Sequence, residues 1–308
     1  MCYSAQVNEA YDEYVKAYGA NVDIETFWKL YGQRVWDPKV KIPKGMDVPF
    51  LTPKSERERE IKAAIEAYAA QQTTKLEQEI FKQRKRLADA ERSLLTKSTK
   101  KAADDQRIAT SKIEWAKGKL ADLNRTDLED SDSRIYPGFY APVMVFENGQ
   151  KIVRPMRYQC RPTGKPVFYD TKYPGTYNAR RDNLEGFWKG LFGHTHGIMI
   201  VSAFYEHVER PDGEKVILEF KPRPLQDMLV ACLWSKWSGA GEPDLYSFAA
   251  ITDGPPAEVA AAGHDRCIIP IKAENVDAWL NPDPNNLDAL YAILDDRERP
   301  YYEHRLAA

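Results

Sequence analysis

The 308-residue chain is short of the features that several protein classes require. It has four cysteines (Cys2, Cys160, Cys232 and Cys267), widely scattered and without a CxxC pair. That excludes a disulfide framework and a zinc ribbon, and it fits reduced thiols in a cytoplasmic protein. No apolar run approaches the roughly 18 residues that span a bilayer, so no membrane segment is expected. The opening MCYSAQVNEAYDEYVK has neither a basic stretch nor an apolar stretch of a secretory signal. A Gly-rich phosphate loop is missing, as is strand–helix–strand alternation, which excludes a P-loop or a Rossmann nucleotide site. There is also no excess of charge of one sign. At a net charge of −2, any nucleic-acid surface must be a local patch rather than a field of the whole protein.

Three textures divide what is present, giving expected boundaries at 1–53, 54–130 and 131–308. The first mixes the amphipathic pieces EAYDEYVKAYG and IETFWKLYGQRVW with a Pro-punctuated stretch ending at Pro53. The second has no Pro or Gly between Pro53 and Gly118 and is dominated by Glu, Lys, Arg, Ala and Gln. Ile61, Ile65, Tyr68, Leu76, Ile80, Leu87 and Leu94 form one apolar series, and Ile113, Ala116, Leu120 and Leu123 form another. These spacings predict two long helices with a break at Thr96–Thr99, folded back as an antiparallel, coiled-coil-like hairpin. Ser55 and Glu58 have capping-box spacing at its start. A helix of 40 residues would be about 60 Å long, so the hairpin should project as an insertion. Its basic runs at 82–86 and 97–101 read either as a solvated face or as a phosphate contact, and a protein partner for the hairpin is a further possibility.

The third region reads as strands. Asn148-Gly149 sits between two alternating runs, a hairpin signal, and Pro211-Asp212-Gly213 repeats the pattern. MLVACLW and YSFAAIT are further strands; EGFWKGL and ENVDAWL read as helical interludes. The fold class is therefore α+β with a β-rich core. Cys232 and Cys267 fall in apolar strand contexts and belong to the core, while Cys160 beside a basic stretch is undecided.

Cys2 differs by position. Once Met1 is removed, it becomes a 1,2-aminothiol whose α-amine has a reference pKa of about 7.7–8.0, against about 10.4 for lysine. Much of that amine is a free nucleophile at neutral pH. It condenses with an aldehyde to a Schiff base, which the thiol closes to a thiazolidine. Elsewhere, TYNARRDN holds Asn178 and Arg180 in an expected loop entering a helix. VSAFYEHVE puts Glu206 near a strand end, and AAGHDRCIIPI puts His264 in a turn before another strand. The three residues His194, His196 and His207 lack an acidic or Cys ligand at a convincing spacing, so neither a metal nor a cofactor is expected.

In combination, Met1-Cys2, Asn178-Ala179-Arg180, Phe204-Tyr205-Glu206-His207, Ala231-Cys232-Leu233-Trp234 and His264-Asp265-Arg266-Cys267 resemble, in order, the SRAP (SOS-response-associated peptidase) family of abasic-site-processing proteins. Ala141-Pro142 and Ile251-Thr252 fit two further family segments. The resemblance covers residues 1–4 and roughly 135–280; the helical hairpin is foreign to it. It implies an SRAP-like core of antiparallel strands in a barrel-like sheet, and a covalent crosslink to abasic sites in single-stranded DNA. Autopeptidase removal of Met1 and a secondary lyase activity follow from the same resemblance. Cys2 would be the nucleophile, Asn178 would orient the adduct, Glu206 would handle the proton of the amine, and His264 would act as acid/base. Arg180, Pro142, Tyr158, Thr252 and Tyr3 would contact DNA. The chain departs from the family in three places. Tyr3-Ser4 replaces Gly-Arg, His207 replaces Trp, and Met156-Arg157-Tyr158-Gln159-Cys160 keeps an aromatic residue but loses the small one after it. Two rival functions are a cysteine peptidase acting on other proteins and a scaffold working through the hairpin with a degenerate core.

Overall fold

The computed structural model describes residues 4–7, 11–210 and 212–307. They divide into two compact units, residues 1–59 with 129–308, and residues 60–128. Cys2 and Tyr3 lie outside the described residues.

The strands of the first unit are β1 (Ser4–Val7), β2 (Asn21–Val22), β3 (Arg134–Ile135), β4 (Tyr140–Glu147), β5 (Gln150–Tyr158), β6 (Asn178–Arg180) and β7 (His196–Glu209). They continue with β8 (Lys215–Arg223), β9 (Met228–Gly239), β10 (Glu242–Asp253), β11 (Cys267–Ile268), β12 (Pro270–Ile271) and β13 (Tyr301–Leu306). Pairing runs β9-β10-β5-β4-β7, and a β7–β9 ladder closes these five into a barrel. Closure removes the exposed edges that an open sheet would leave. Four of the five seams are antiparallel; β10 and β5 run parallel. The expected barrel-like sheet is present, with a parallel seam that alternation patterns do not reveal.

Local chemistry sets the turns. Asn148 and Gly149 both have positive φ (52° and 80°) between the paired residues Glu147 and Gln150, the backbone a two-residue hairpin needs. Gly197 lies opposite Val145 on β4, where a Cβ would sit 2.9 Å from Val143 Cγ1; only glycine permits this approach. Inward residues such as Val143, Met156, Val201, Val230, Phe248 and Ala250 fill the barrel and are almost fully buried. Helix α1 (Tyr11–Tyr18) sends Tyr14 into the wall, where its hydroxyl donates to the Pro142 carbonyl (3.1 Å) and accepts from the Ile200 N–H (2.9 Å). It thus bridges β4 and β7 beyond the end of their ladder. Helix α2 (Ile24–Trp36) is capped by Asp23, which accepts from Thr26 N–H, and buries Phe27, Leu30 and Tyr31.

Residues 184–194 correct an expectation. EGFWKGL forms consecutive turns rather than a helix, as Gly186 and Gly190 weaken helix propagation and Gly193 has φ +82°. ENVDAWL does form a short helix, Val276–Leu280.

The second unit is a helical hairpin made by α3 (Glu56–Thr96) and α4 (Lys100–Asn124). The break falls at residues 97–99, where Thr99 is extended and its side chain accepts from Ala102 N–H at 3.2 Å. Ser55 accepts from Glu58 N–H (3.2 Å), but Glu58 reaches back to Lys54 N–H, one residue before the usual partner. The buried seam is mostly small: Ala90 from α3 with Ala102, Ala109, Ile113 and Ala116 from α4. Tyr68, Leu76, Ile80, Leu87 and Leu94 remain half-buried.

Candidate active site

Glu206 lies on β7 and is fully buried; its Oε2 is 3.1 Å from Nε2 of His264. His264 stands in the turn between a short helix (Ala257–Ala261) and β11. Its other nitrogen, Nδ1, is 2.9 Å from the Arg266 carbonyl and 3.3 Å from the Arg266 N–H. That pair of backbone groups accommodates either protonation state. Neutral imidazole accepts from the N–H and points Nε2–H at Glu206; imidazolium donates to the carbonyl instead. Burial, the largest influence, pulls the His264 pKa below its ordinary value, which favours the neutral form. A ring that exchanges a proton without losing its partners suits acid–base work.

Asn178 occupies β6, a short strand parallel to β10, rather than the expected loop entering a helix; Arg181–Asn183 then make a single 3-10 turn. Ala250 and Thr252 of β10 align with Asn178 and Arg180. Thr252, fully buried, donates its hydroxyl proton to Asn178 Oδ1. With Oδ1 so occupied, the amide keeps Nδ2 as a donor, and this buried Nδ2 has no hydrogen-bond partner among the described residues. An unsatisfied buried donor costs about 1–3 kcal/mol unless a ligand takes it.

Two observations tie these halves together. Thr252 is paired with Ile268 of β11, just beyond the His264 turn. Arg180, whose guanidinium is held chiefly by Asp182 (Nε–Oδ1 3.0 Å), also feels the charge of Asp265, next to His264. Beside Asn178 and Arg180 runs a groove lined by Lys172, Tyr173, Phe187 and Trp188, with Phe187 and Tyr173 substantially exposed. These aromatics were not singled out from the sequence; their exposure next to the Asn-Ala-Arg strand is visible only in the fold.

Three residues expected to contact DNA are buried. Tyr158 is buried against Tyr177 and Phe248 in the core, so no ring face meets solvent. Pro142 is buried mid-strand, its carbonyl taken by Tyr14. Thr252 acts behind Asn178 rather than at the surface. Of the residues expected to be catalytic, Glu206 contacts His264 directly, and Asn178 lies on β6, which pairs with the same strand, β10, as β11 beyond the His264 turn.

The described start of the chain is anchored beside this site. Ser4 lies opposite Tyr205, the residue before Glu206. Ser4 is buried and its hydroxyl accepts from Arg134 Nε (3.0 Å), while the Arg134 guanidinium stacks 3.7 Å above the Tyr205 ring. Tyr205 in turn donates to the buried carboxylate of Glu219 (2.9 Å).

The three described cysteines are poor nucleophiles. Burial pushes the Cys160 thiol up to about 12 and raises Cys232 and Cys267 still further, the nearby Glu206 charge adding to the effect at Cys267. His196 is structural: Nε2 accepts from Gly193 N–H (2.9 Å) and Nδ1 faces the Trp279 carbonyl (3.0 Å). No group of three metal-binding side chains occurs among the described residues, and no helix there is long and apolar enough to cross a membrane.

The first unit is thus a closed β-barrel carrying a buried carboxylate–imidazole pair. The model of the family SRAP, SOS response associated peptidase, matches residues 91–305, and the chain belongs to that family. The family's description connects it to the response to DNA damage and to a peptidase-like activity. Similar solved structures include a protein from Bordetella bronchiseptica (16% identity, 60% of this chain and 90% of that one, TM-score 0.48). Others are a protein from Bacteroides thetaiotaomicron (12%, 57% and 78%, TM-score 0.47) and a phage-related protein from B. bronchiseptica (18%, 60% and 85%, TM-score 0.44). The comparison with curated proteins found no match.

Proposed function

We propose that this protein captures abasic sites in single-stranded DNA covalently through Cys2, after hydrolysis of the Met1–Cys2 bond. The observation that carries the proposal is the fully buried Glu206 carboxylate 3.1 Å from His264 Nε2, on β7, the strand against which Ser4 of β1 is paired. Two peptide units separate Cys2 from Ser4, so connectivity keeps their Cα atoms within about 7 Å. Elimination supports the same residue, since the other three thiols are buried and held protonated.

In the reaction, the free α-amine adds to C1′ of the ring-opened deoxyribose, and one water leaves to give the Schiff base. The thiol then adds across the imine, its proton passing to nitrogen, and a thiazolidine closes. His264 supplies the proton for the departing hydroxyl and Glu206 takes the proton from the attacking amine. Asn178 Nδ2 donates to a sugar or phosphate oxygen, held in that orientation by Thr252. Arg180 exchanges its exposed partner Asp182 for a flanking phosphate, and Phe187 and Tyr173 offer rings to a neighbouring base. Ser4, where the family has arginine, removes one cation from the strand grip.

Incubating the protein with a single-stranded oligonucleotide carrying one abasic site should give a heat-stable shifted band on a denaturing gel. Cys2→Ala should abolish it, and His264→Ala should slow its formation by about 10²-fold or more. An undiminished band from Cys2→Ala, or active protein whose intact mass retains methionine, would overturn the proposal.

A further inference from the structure

The hairpin carries a charge distribution that the barrel site does not use. Between Lys82 and Lys101 the chain has eight basic residues (Lys82, Arg84, Lys85, Arg86, Arg92, Lys97, Lys100 and Lys101) against Asp89 and Glu91. That net charge of +6 contrasts with −2 for the whole protein. Lower on the hairpin, charges alternate and pair: Asp104 with Arg107, Glu114 with Lys117, Asp122 with Arg125. An ordinary solvated helix face has that pattern. At the distal end only Arg86 and Arg92 are paired, with Asp105 and Asp89. Lys82, Arg84, Lys85, Lys97, Lys100 and Lys101 are exposed and make no ion pair among the described residues.

Geometry concentrates these charges. Lys82, Lys85 and Arg86 of α3 face Lys101 of α4 across one groove, whose two acids, Asp89 and Asp105, are already spent on Arg92 and Arg86. Like charges held together by two rigid helices repel, and a bound polyanion relieves that repulsion. Phe81 is 75% exposed, one helical turn before Lys85 and next to Lys82, so an aromatic ring stands among the cations. Alternating phosphates and bases of a single strand match that combination of charge and ring.

We infer that the distal end of the helical hairpin is a second, sequence-independent binding surface for single-stranded nucleic acid. The choice of nucleic acid among polyanions rests on the proposal that the barrel site acts on single-stranded DNA. The surface itself needs neither Cys2 nor an abasic site.

The test is fluorescence anisotropy of the full chain with a labelled 30-nucleotide oligothymidine lacking abasic sites, titrated across a range of salt. Replacing Lys82, Lys85 and Lys101 by Gln keeps good helix formers and removes three cations. The expected result is affinity weaker by about tenfold or more near 0.1 M salt. The slope of log K against log salt should also become shallower by about 2, from about 0.7 per lost phosphate contact. A control triple, Lys62, Lys75 and Lys119 to Gln, changes net charge equally and should leave both quantities nearly unchanged. Equal weakening by both triples, or none by the first, overturns the inference. So does loss of binding to phosphatidylserine vesicles with DNA affinity intact, which would make the patch a membrane contact, and so does retention of DNA affinity with loss of an acidic protein partner. Because this oligonucleotide offers no aldehyde, failure here leaves the Cys2-dependent gel result standing, and the reverse also holds.

Discussion

The barrel and the hairpin use polar groups in opposite ways. In the barrel, a few are buried and each has a defined neighbour: Glu206 against His264, Asn178 against Thr252, His196 between two backbone groups. Removed from water, such groups interact strongly, shift their proton affinities and tolerate little substitution. In the hairpin, nearly all charges are solvated, individually weak, and effective only as a sum that salt screens. Their cores differ in parallel. The barrel packs Phe, Met, Val and Trp side chains from several layers, while the hairpin closes on a seam of alanines. The two units of the chain thus rest on different physics, desolvated pairs in one and solvated charge in the other.

The sharpest test of this contrast lies in the barrel core. Phe248 is fully buried on β10 and its ring packs 5.2 Å from that of Tyr158. Phe248→Ala should lower the unfolding free energy by about 3–5 kcal/mol, the cost of removing a large aromatic from a core that cannot collapse around the void. Denaturant unfolding followed by tryptophan fluorescence measures it. A loss below about 1 kcal/mol would mean that the barrel interior is loosely packed, and the comparison would fail.

A smaller effect comes from a buried polar group. Burial pushes the His196 pKa down to about 3 from 6.5, and it acts as a neutral ring between Gly193 and Trp279. Between those values the unfolded chain binds the proton that the folded one refuses, so stability is complete above pH 6.5 and is lost as pH falls. By pH 5 the loss should be about 2 kcal/mol, at about 1.4 kcal/mol per pH unit. Melting temperatures of the wild type and His196→Gln between pH 7 and pH 5 isolate the term. The variant should start lower and fall less steeply. Parallel curves would show that His196 is not held neutral.

Elements written in local chemistry were legible from the sequence: the Asn148-Gly149 turn, the hairpin with its break before Lys100, and the strands around Glu206 and His264. Features set by distant partners were not. The parallel β5–β10 seam depends on barrel closure, and Asn178 became a strand because β10 offered it an edge, overriding an Asn-Ala-Arg sequence that reads as a cap. Exposed and buried aromatics look alike in sequence, so the buried Tyr158 is named as a DNA contact while the exposed Phe187 is passed over. Gln159 is a subtler case. It stands at φ +145°, a backbone that favours glycine, where the resemblance implied a small residue, and its amide anchors to the Asp170 carbonyl at 2.9 Å. The sequence flags the exchange, and only the fold shows the strain it imposes.

The smallest effect should come from the hairpin. Arg86 and Asp105 join α3 to α4 through an Nε–Oδ1 contact of 3.0 Å, with side chains about one-third exposed. Water competes for both groups, and holding two flexible side chains in one geometry costs entropy. A double-mutant cycle with Arg86→Gln and Asp105→Asn should thus give a coupling of only about 0.2–1 kcal/mol, read from hydrogen exchange of the hairpin amides. Raising salt to about 1 M, where the Debye length is about 3 Å, should erase most of it. A coupling of several kcal/mol that survives such salt would put this pair in the same class as Glu206 and His264. The division between a desolvated chemical unit and a screened electrostatic one would then no longer hold.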